Sequence, residues 1–183
     1  MAHSPKRSRN TVFLTIFASA AFSILLVCLS CSTSTPLTAP KIGDAFPKLS
    51  LTDLNGVRTT LPNDATGKIA VIHFMTTWCA LCEREMLAMQ LTQTLHGGKG
   101  LVSYWVHVGP SAEADRAYAI KTQTTYPVLL DPNRESVKLG GNLNIPTTYV
   151  CDRNGVIRGK FIGEVTQRGL EKLLGTLLQD ASS

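Results

Sequence analysis

Val12 to Leu29 is dominated by Val, Phe, Leu, Ile and Ala, and no charged residue falls between Thr11 and Ser30. A polar, basic stretch, Met1 to Asn10, precedes it. That is the order of a positive n-region followed by a hydrophobic h-region. At about 20 residues the apolar run is long for a cleaved signal and suits one membrane-spanning helix. The basic side would then stay in the cytoplasm and the remainder of the chain would lie outside. Ser32 to Pro40 is Ser-, Thr- and Pro-rich and non-periodic, the composition of a short flexible tether. The predicted organisation is a leader or anchor over 1–31, a linker over 32–41 and one domain over 42–183.

Inside that domain the pattern alternates between strand and helix. Ile42 to Leu51 alternates loosely, turns at Asp53-Leu54-Asn55-Gly56 and continues through Val57 to Leu61, which predicts an N-terminal hairpin. Ile69 to Met75 is a near-continuous apolar run of strand length. Glu83 to Leu95 follows, with Leu87, Leu91 and Leu95 recurring every four residues, as on one face of a helix that ends at His96-Gly97-Gly98-Lys99-Gly100. Leu101–Val108 predicts a buried strand. Ser111 caps a helix to about Gln123, with Glu113 and Asp115 in its first turn. Tyr126–Leu130 is a short strand, and a helical turn or two closes at Gly140-Gly141. Thr148–Cys151 and Val156–Ile162 are antiparallel strands around the tight turn Asp152-Arg153-Asn154-Gly155. Thr166 caps a last helix whose buried stripe is Leu170, Leu173, Leu174, Leu177 and Leu178.

Composition changes this picture little. A chain of 183 residues, less a leader, has room for one domain with a good core. The formal charge is +5, but Lys6, Arg7 and Arg9 lie in the leader, leaving 15 basic against 13 acidic residues. With no basic run interleaved with aromatics, nothing points to nucleic acid.

The cysteines carry the chemistry. Cys28 and Cys31 fall in the leader, where Cys31 follows Ser30 and precedes small polar residues, as at a lipid-attachment site. Cys151 stands alone in an apolar strand and reads as a small buried hydrophobe. Cys79 and Cys82 stand where the strand Ile69–Met75 turns into the helix, at a spacing that lets two sulfurs alternate between dithiol and disulfide. The first turn of a helix offers free N–H groups and the positive end of the macrodipole, and both favour the thiolate. Cys79, at the helix start, is the predicted attacking group. Cys82, one turn in, is the resolving one. Glu85 lies three residues beyond Cys82 on the same helical face, where a carboxylate can shift a thiol or relay a proton. The two thiols with His73, Met75 and Met86 could instead hold copper(I). A closed zinc site needs four ligands, and the domain sequence carries no second Cys-x-x-Cys and no His-x-x-x-His.

Phe74, Trp78-Cys79-Ala80-Leu81-Cys82, Glu85, Ile145-Pro146-Thr147 and the hairpin Tyr149 to Gly155 together resemble the thioredoxin superfamily. More narrowly, they are similar to its TlpA/ResA-like branch of membrane-tethered, extracytoplasmic thiol–disulfide oxidoreductases. The similarity runs from about Ile42 to Leu178. It implies an α/β thioredoxin fold, a central mixed sheet flanked by helices, with an N-terminal β-hairpin and a TlpA-like α/β insertion. It makes Pro146 a cis-proline facing the cysteine pair. Ile145 and Thr147 beside it, and Trp78, become substrate-binding positions. It also implies exchange with exported, disulfide-containing proteins such as apocytochrome c, most simply as a reductant. A membrane thiol-electron transporter would supply the electrons, and neither organic cofactor nor metal would be needed. Two other functions stay open: a copper(I) carrier and a peroxide-reducing, peroxiredoxin-like antioxidant. Three departures from the branch stand out. Leu87 replaces a Pro that kinks the active-site helix, Ala80-Leu81 lacks a Pro before the second cysteine, and His73 replaces a buried Asp or Asn. An imidazole under Cys82 could accept its proton near neutral pH.

Overall fold

A computed structural model describes residues 38–140 and 143–179. The predicted leader lies outside the described residues, and with it Cys31 as a lipidation candidate. Among the described residues no helix is long and apolar enough to cross a membrane.

Strands β1 (Leu49–Asp53) and β2 (Arg58–Leu61) form the N-terminal hairpin. In its turn Asp53 accepts the N–H groups of Asn55 and Val57, each at 2.8 Å, and Gly56 takes φ 84°. Strand β3 (Ile69–Met75) leads into helix α1 (Ala80–His96), and β4 (Leu101–His107) into α2 (Ala112–Lys121). Ser111 caps α2 by accepting the Ala114 N–H. A short strand β5 (Val128–Leu130) and a 3₁₀ turn over Glu135–Leu139 follow. Strands β6 (Thr147–Cys151) and β7 (Ile157–Ile162) and helix α3 (Gln167–Gln179) complete the domain. The turn before β7 repeats the chemistry of the first. Asp152 accepts from Asn154 at 2.9 Å and Val156 at 3.1 Å, and Gly155 takes φ 76°.

The strands make one mixed sheet in the order β2-β1-β5-β4-β3-β6-β7. Strands β3, β4 and β5 are parallel, and the others join antiparallel. A central parallel strand is covered on both faces, which is why β3 reads as an unbroken apolar run and why all seven of its residues are buried. Side chains alternate across it. Ala70, Ile72 and Phe74 join one core with Tyr104, Val106 and Tyr149, while Ile69, Val71 and Met75 join the other beneath the helices. Phe74 and Phe46 both meet the Tyr149 ring edge-on. The mixed sheet with its helices and leading hairpin is the arrangement the resemblance implies.

Helix α1 differs from its sequence pattern. Its buried side is Cys82, Glu85, Met86, Met89 and Thr92, whereas Leu87, Leu91 and Leu95 are all exposed. The leucine repeat therefore marks the helical period but not the core face, because the face is chosen by where β3 delivers Cys79. Met89→Ala should cost about 2–5 kcal/mol, while Leu87→Ser should stay within about 0.5 kcal/mol. Denaturant midpoints of the two variants check this, and equal losses would contradict the assignment of faces.

Candidate active site

The redox pair is built by the junction of β3 and α1. Cys79 is the N-cap residue of α1, with extended backbone at φ −87° and ψ 103°, and its Sγ accepts the Cys82 N–H at 3.2 Å. The two cysteines are joined as a disulfide with their Cα atoms 5.3 Å apart. Cys82 is fully buried, Cys79 is half-buried, and Trp78 beside it is 81% exposed. One sulfur thus faces solvent at the positive end of a 17-residue helix, a position that favours a thiolate. The other is closed off by the core.

Beneath Cys82 sits an acid–imidazole pair. Register places His73 on the helix-facing side of β3, opposite Thr148 of β6. Its Nδ1 lies 2.8 Å from the Thr148 hydroxyl. Its Nε2 lies 3.5 Å from Oε2 of Glu85, and both side chains are wholly buried. The other carboxylate oxygen of Glu85 accepts the backbone N–H of Val165, in the segment before α3. Among the described residues neither His73 Nε2 nor Glu85 Oε2 has a hydrogen bond of its own, so each faces the other. Burial pushes Glu85 up to about 7, against the pull of the Val165 N–H bond. Burial pushes His73 down to about 4. The imidazole under Cys82 is therefore neutral at physiological pH, well short of a base poised near neutrality. The group that titrates there is Glu85, because a carboxyl becomes neutral when protonated and an imidazole becomes charged.

This inversion has a consequence for stability. Unfolded, the two groups return to about 4.3 and 6.5. From about pH 4.5 to 6.5 the folded chain carries the proton on Glu85 and the unfolded chain carries it on His73. The proton counts match, so the pair contributes no slope. His73→Gln leaves only the raised carboxyl, whose folded form binds more protons. Stability then falls as pH rises from about 4.5 to about 7. Glu85→Gln leaves only the depressed imidazole, and stability rises from about pH 4 to about 6.5. Urea midpoints across this range should show slopes of opposite sign, and slopes of the same sign would dissolve the pair.

The Ile145–Pro146 peptide is cis. The Pro146 carbonyl accepts from Gly163 N–H at 2.9 Å, which ties the loop to the end of β7. Ile145 lines the same cleft as Trp78. Thr147 follows the cis bond as the first residue of β6. It is 1% exposed and its hydroxyl donates to the Asn144 carbonyl at 2.6 Å, so its side chain shapes the loop. Cys151 is free and buried, and burial pushes its thiol up to about 12, which keeps it inert.

Of the predicted site residues, the structure gathers Cys82, His73 and Glu85 within 4.8 Å, joins Cys79 to Cys82, and lines one cleft with Trp78 and Ile145. Sequence reasoning missed Thr148 and the Val165 N–H, which hold the imidazole and the carboxyl from strands and loops far along the chain. It also missed the buried contact of His107 Nδ1 with Asp115 Oδ2, at 2.6 Å, which fastens β4 to α2. His73, Cys82 and Glu85 offer nitrogen, sulfur and oxygen atoms within 4.8 Å of one another. Met86, considered with them for copper, instead receives the Tyr126 hydroxyl at 3.7 Å in the core.

Such a fold with such a cysteine pair defines a thioredoxin-like thiol–disulfide oxidoreductase. Residues 42–160 match the AhpC/TSA family, and the chain belongs to it. It is 33% identical over 135 residues to the thioredoxin-like protein YneN of Bacillus subtilis, covering 72% of this chain and 78% of that protein. It is 27% identical over 169 residues to the thiol-disulfide oxidoreductase ResA of Geobacillus kaustophilus, covering 92% of this chain and 94% of the other. A crystal structure from Chlorobium tepidum, assigned as the thiol:disulfide interchange protein DsbE, superposes with a TM-score of 0.71 at 23% identity. The match covers 76% of this chain and 99% of that one.

Proposed function

We propose that this protein reduces disulfides in exported proteins, with Cys79 attacking and Cys82 resolving. The observation that carries the reading is the asymmetry of the pair. Cys79 caps a helix at the surface beside Trp78, and Cys82 is buried over a carboxyl that titrates near neutrality. In the reduced form the Cys79 thiolate attacks one sulfur of a substrate disulfide and expels the other as a thiolate. Cys82 then gives its proton to the Glu85 carboxylate and attacks Cys79 Sγ. The second substrate thiolate leaves, and the substrate has gained two electrons. A thiol donor, which the resemblance suggests is a membrane electron transporter, returns the pair to dithiol.

His73, held by Thr148, orients the Glu85 carboxyl. Trp78, Ile145 and Pro146 flank the approach to Cys79. The apolar segment within 1–31 supports export and tethering at the outer face of a membrane, and apocytochrome c is the substrate the resemblance favours. The test is the equilibrium reduction potential of the pair in the full chain, poised against thiol buffers. A value near about −270 mV or lower is expected of a reductant, and one near about −120 mV would make the protein an oxidant.

A further inference from the structure

Next to the redox pair, loops from the ends of β3, β4 and β5 and the loop before β6 enclose a cleft of about 380 Å³. Its walls are mainly apolar. Trp78, the chain neighbour of Cys79, and Ile145 line it together with Val108, Pro110 and Leu143. Among the described residues Arg134 is the one charged residue lining it. This arginine is set there by its backbone. It takes φ 55°, a left-handed conformation that is uncommon outside glycine and asparagine, and its N–H donates to the Asp131 carbonyl at 3.3 Å. Asp131 does not neutralise it. The Asp131 carboxylate is buried and accepts the N–H groups of Glu135 and Ser136, at 2.5 and 2.9 Å. The next acid along, Glu135, is paired with Lys138. Among the described residues the Arg134 side chain, which is exposed, has no ion-pair partner.

We infer that Arg134 selects substrates: the cleft accepts an extended peptide segment with an aspartate or glutamate flanking its disulfide cysteine. The inference rests on the reading that this face takes protein disulfides. An apolar wall beside an unpaired guanidinium fits a segment that buries aliphatic or aromatic surface against Trp78 and presents a carboxylate to Arg134. Guanidinium and carboxylate match as a two-pronged pair, and a charge at the edge of an interface acts chiefly on encounter and selectivity.

The test uses the full chain, reduced, with three fluorescent disulfide peptides that differ only in carrying Glu, Ala or Lys beside the cysteine, placed in turn on either side. The wild type should show kcat/KM for the Glu peptide about 5–10-fold above that for the Lys peptide on one side, a preference that shrinks at high salt. Arg134→Glu should invert the order. Arg134→Gly, which suits the left-handed backbone and removes the charge, should abolish it. Glu and Lys peptides reduced at equal rates by the wild type would overturn the inference alone. So would a Glu preference that persists unchanged in both variants. Failure to reduce any of the three peptides would overturn the exported-protein reading and the inference together.

Discussion

Cys79→Ser is expected to abolish disulfide exchange, a loss of at least about 10³-fold, the scale on which removing a nucleophile acts. No other described cysteine can replace it. Cys82 is fully buried, and Cys151 is buried with its thiol pushed up to about 12. The companion variant should behave differently. Cys82→Ser keeps the N-cap thiolate of Cys79 and loses only the second attack. It should therefore accumulate a mixed disulfide with substrate, visible as a reducible adduct on a non-reducing gel. A Cys79→Ser protein that exchanged disulfides at the wild-type rate would remove the mechanism. Adducts trapped by Cys79→Ser in place of Cys82→Ser would reverse the two roles.

Glu85→Gln should slow the second step by about 10²-fold, the lower end of what a positioned proton acceptor contributes. The amide keeps the size of the side chain but cannot take the Cys82 proton. The pH profile separates this role from a structural one. Wild-type release of the mixed disulfide should rise with pH through about 7 as Glu85 ionises, and then level off. In Glu85→Gln that inflection should disappear and the rate should keep climbing towards the range where a buried thiol ionises unaided. Single-turnover release from a preformed mixed disulfide measures it. An inflection near 7 that survives the substitution would assign the proton to another group. The first step, carried by Cys79, should change little, so a uniform loss in both steps would indicate damage to the fold.

The parts of this protein written locally were legible in the sequence. The apolar run Ile69–Met75, the Trp-Cys-x-x-Cys junction and the amphipathic α3 each depend on neighbours within a few residues. Strand period, helix period and helix-end chemistry act over that range, and Thr166, predicted to cap α3, does accept the Gly169 N–H. The two Asp-x-Asn-Gly turns are of the same kind. The roles proposed for Cys79 and Cys82 follow from their order along a helix start.

What required the tertiary structure was everything set by burial and long-range register. The leucines of α1 carry the right period and lie on the wrong side. Only the docking of α1 on β3 decides that Met86 and Met89 face inward. His73 was visible as an unusual residue in a core strand, but its partners were not. Thr148 is 75 residues away, and the N–H that holds Glu85 is 80 residues from it. A sequence assigns His and Glu their ordinary proton affinities. Enclosure of both, facing each other in the core, lowers one and raises the other until the carboxyl titrates near neutral pH and the imidazole well below it. Chain-local chemistry thus determined that a cysteine pair stands at a strand-to-helix junction and which sulfur lies at the helix start. The packed sheet and helices decided which group beneath the second sulfur titrates near neutrality, because desolvation is a property of the assembled core and not of any residue in it.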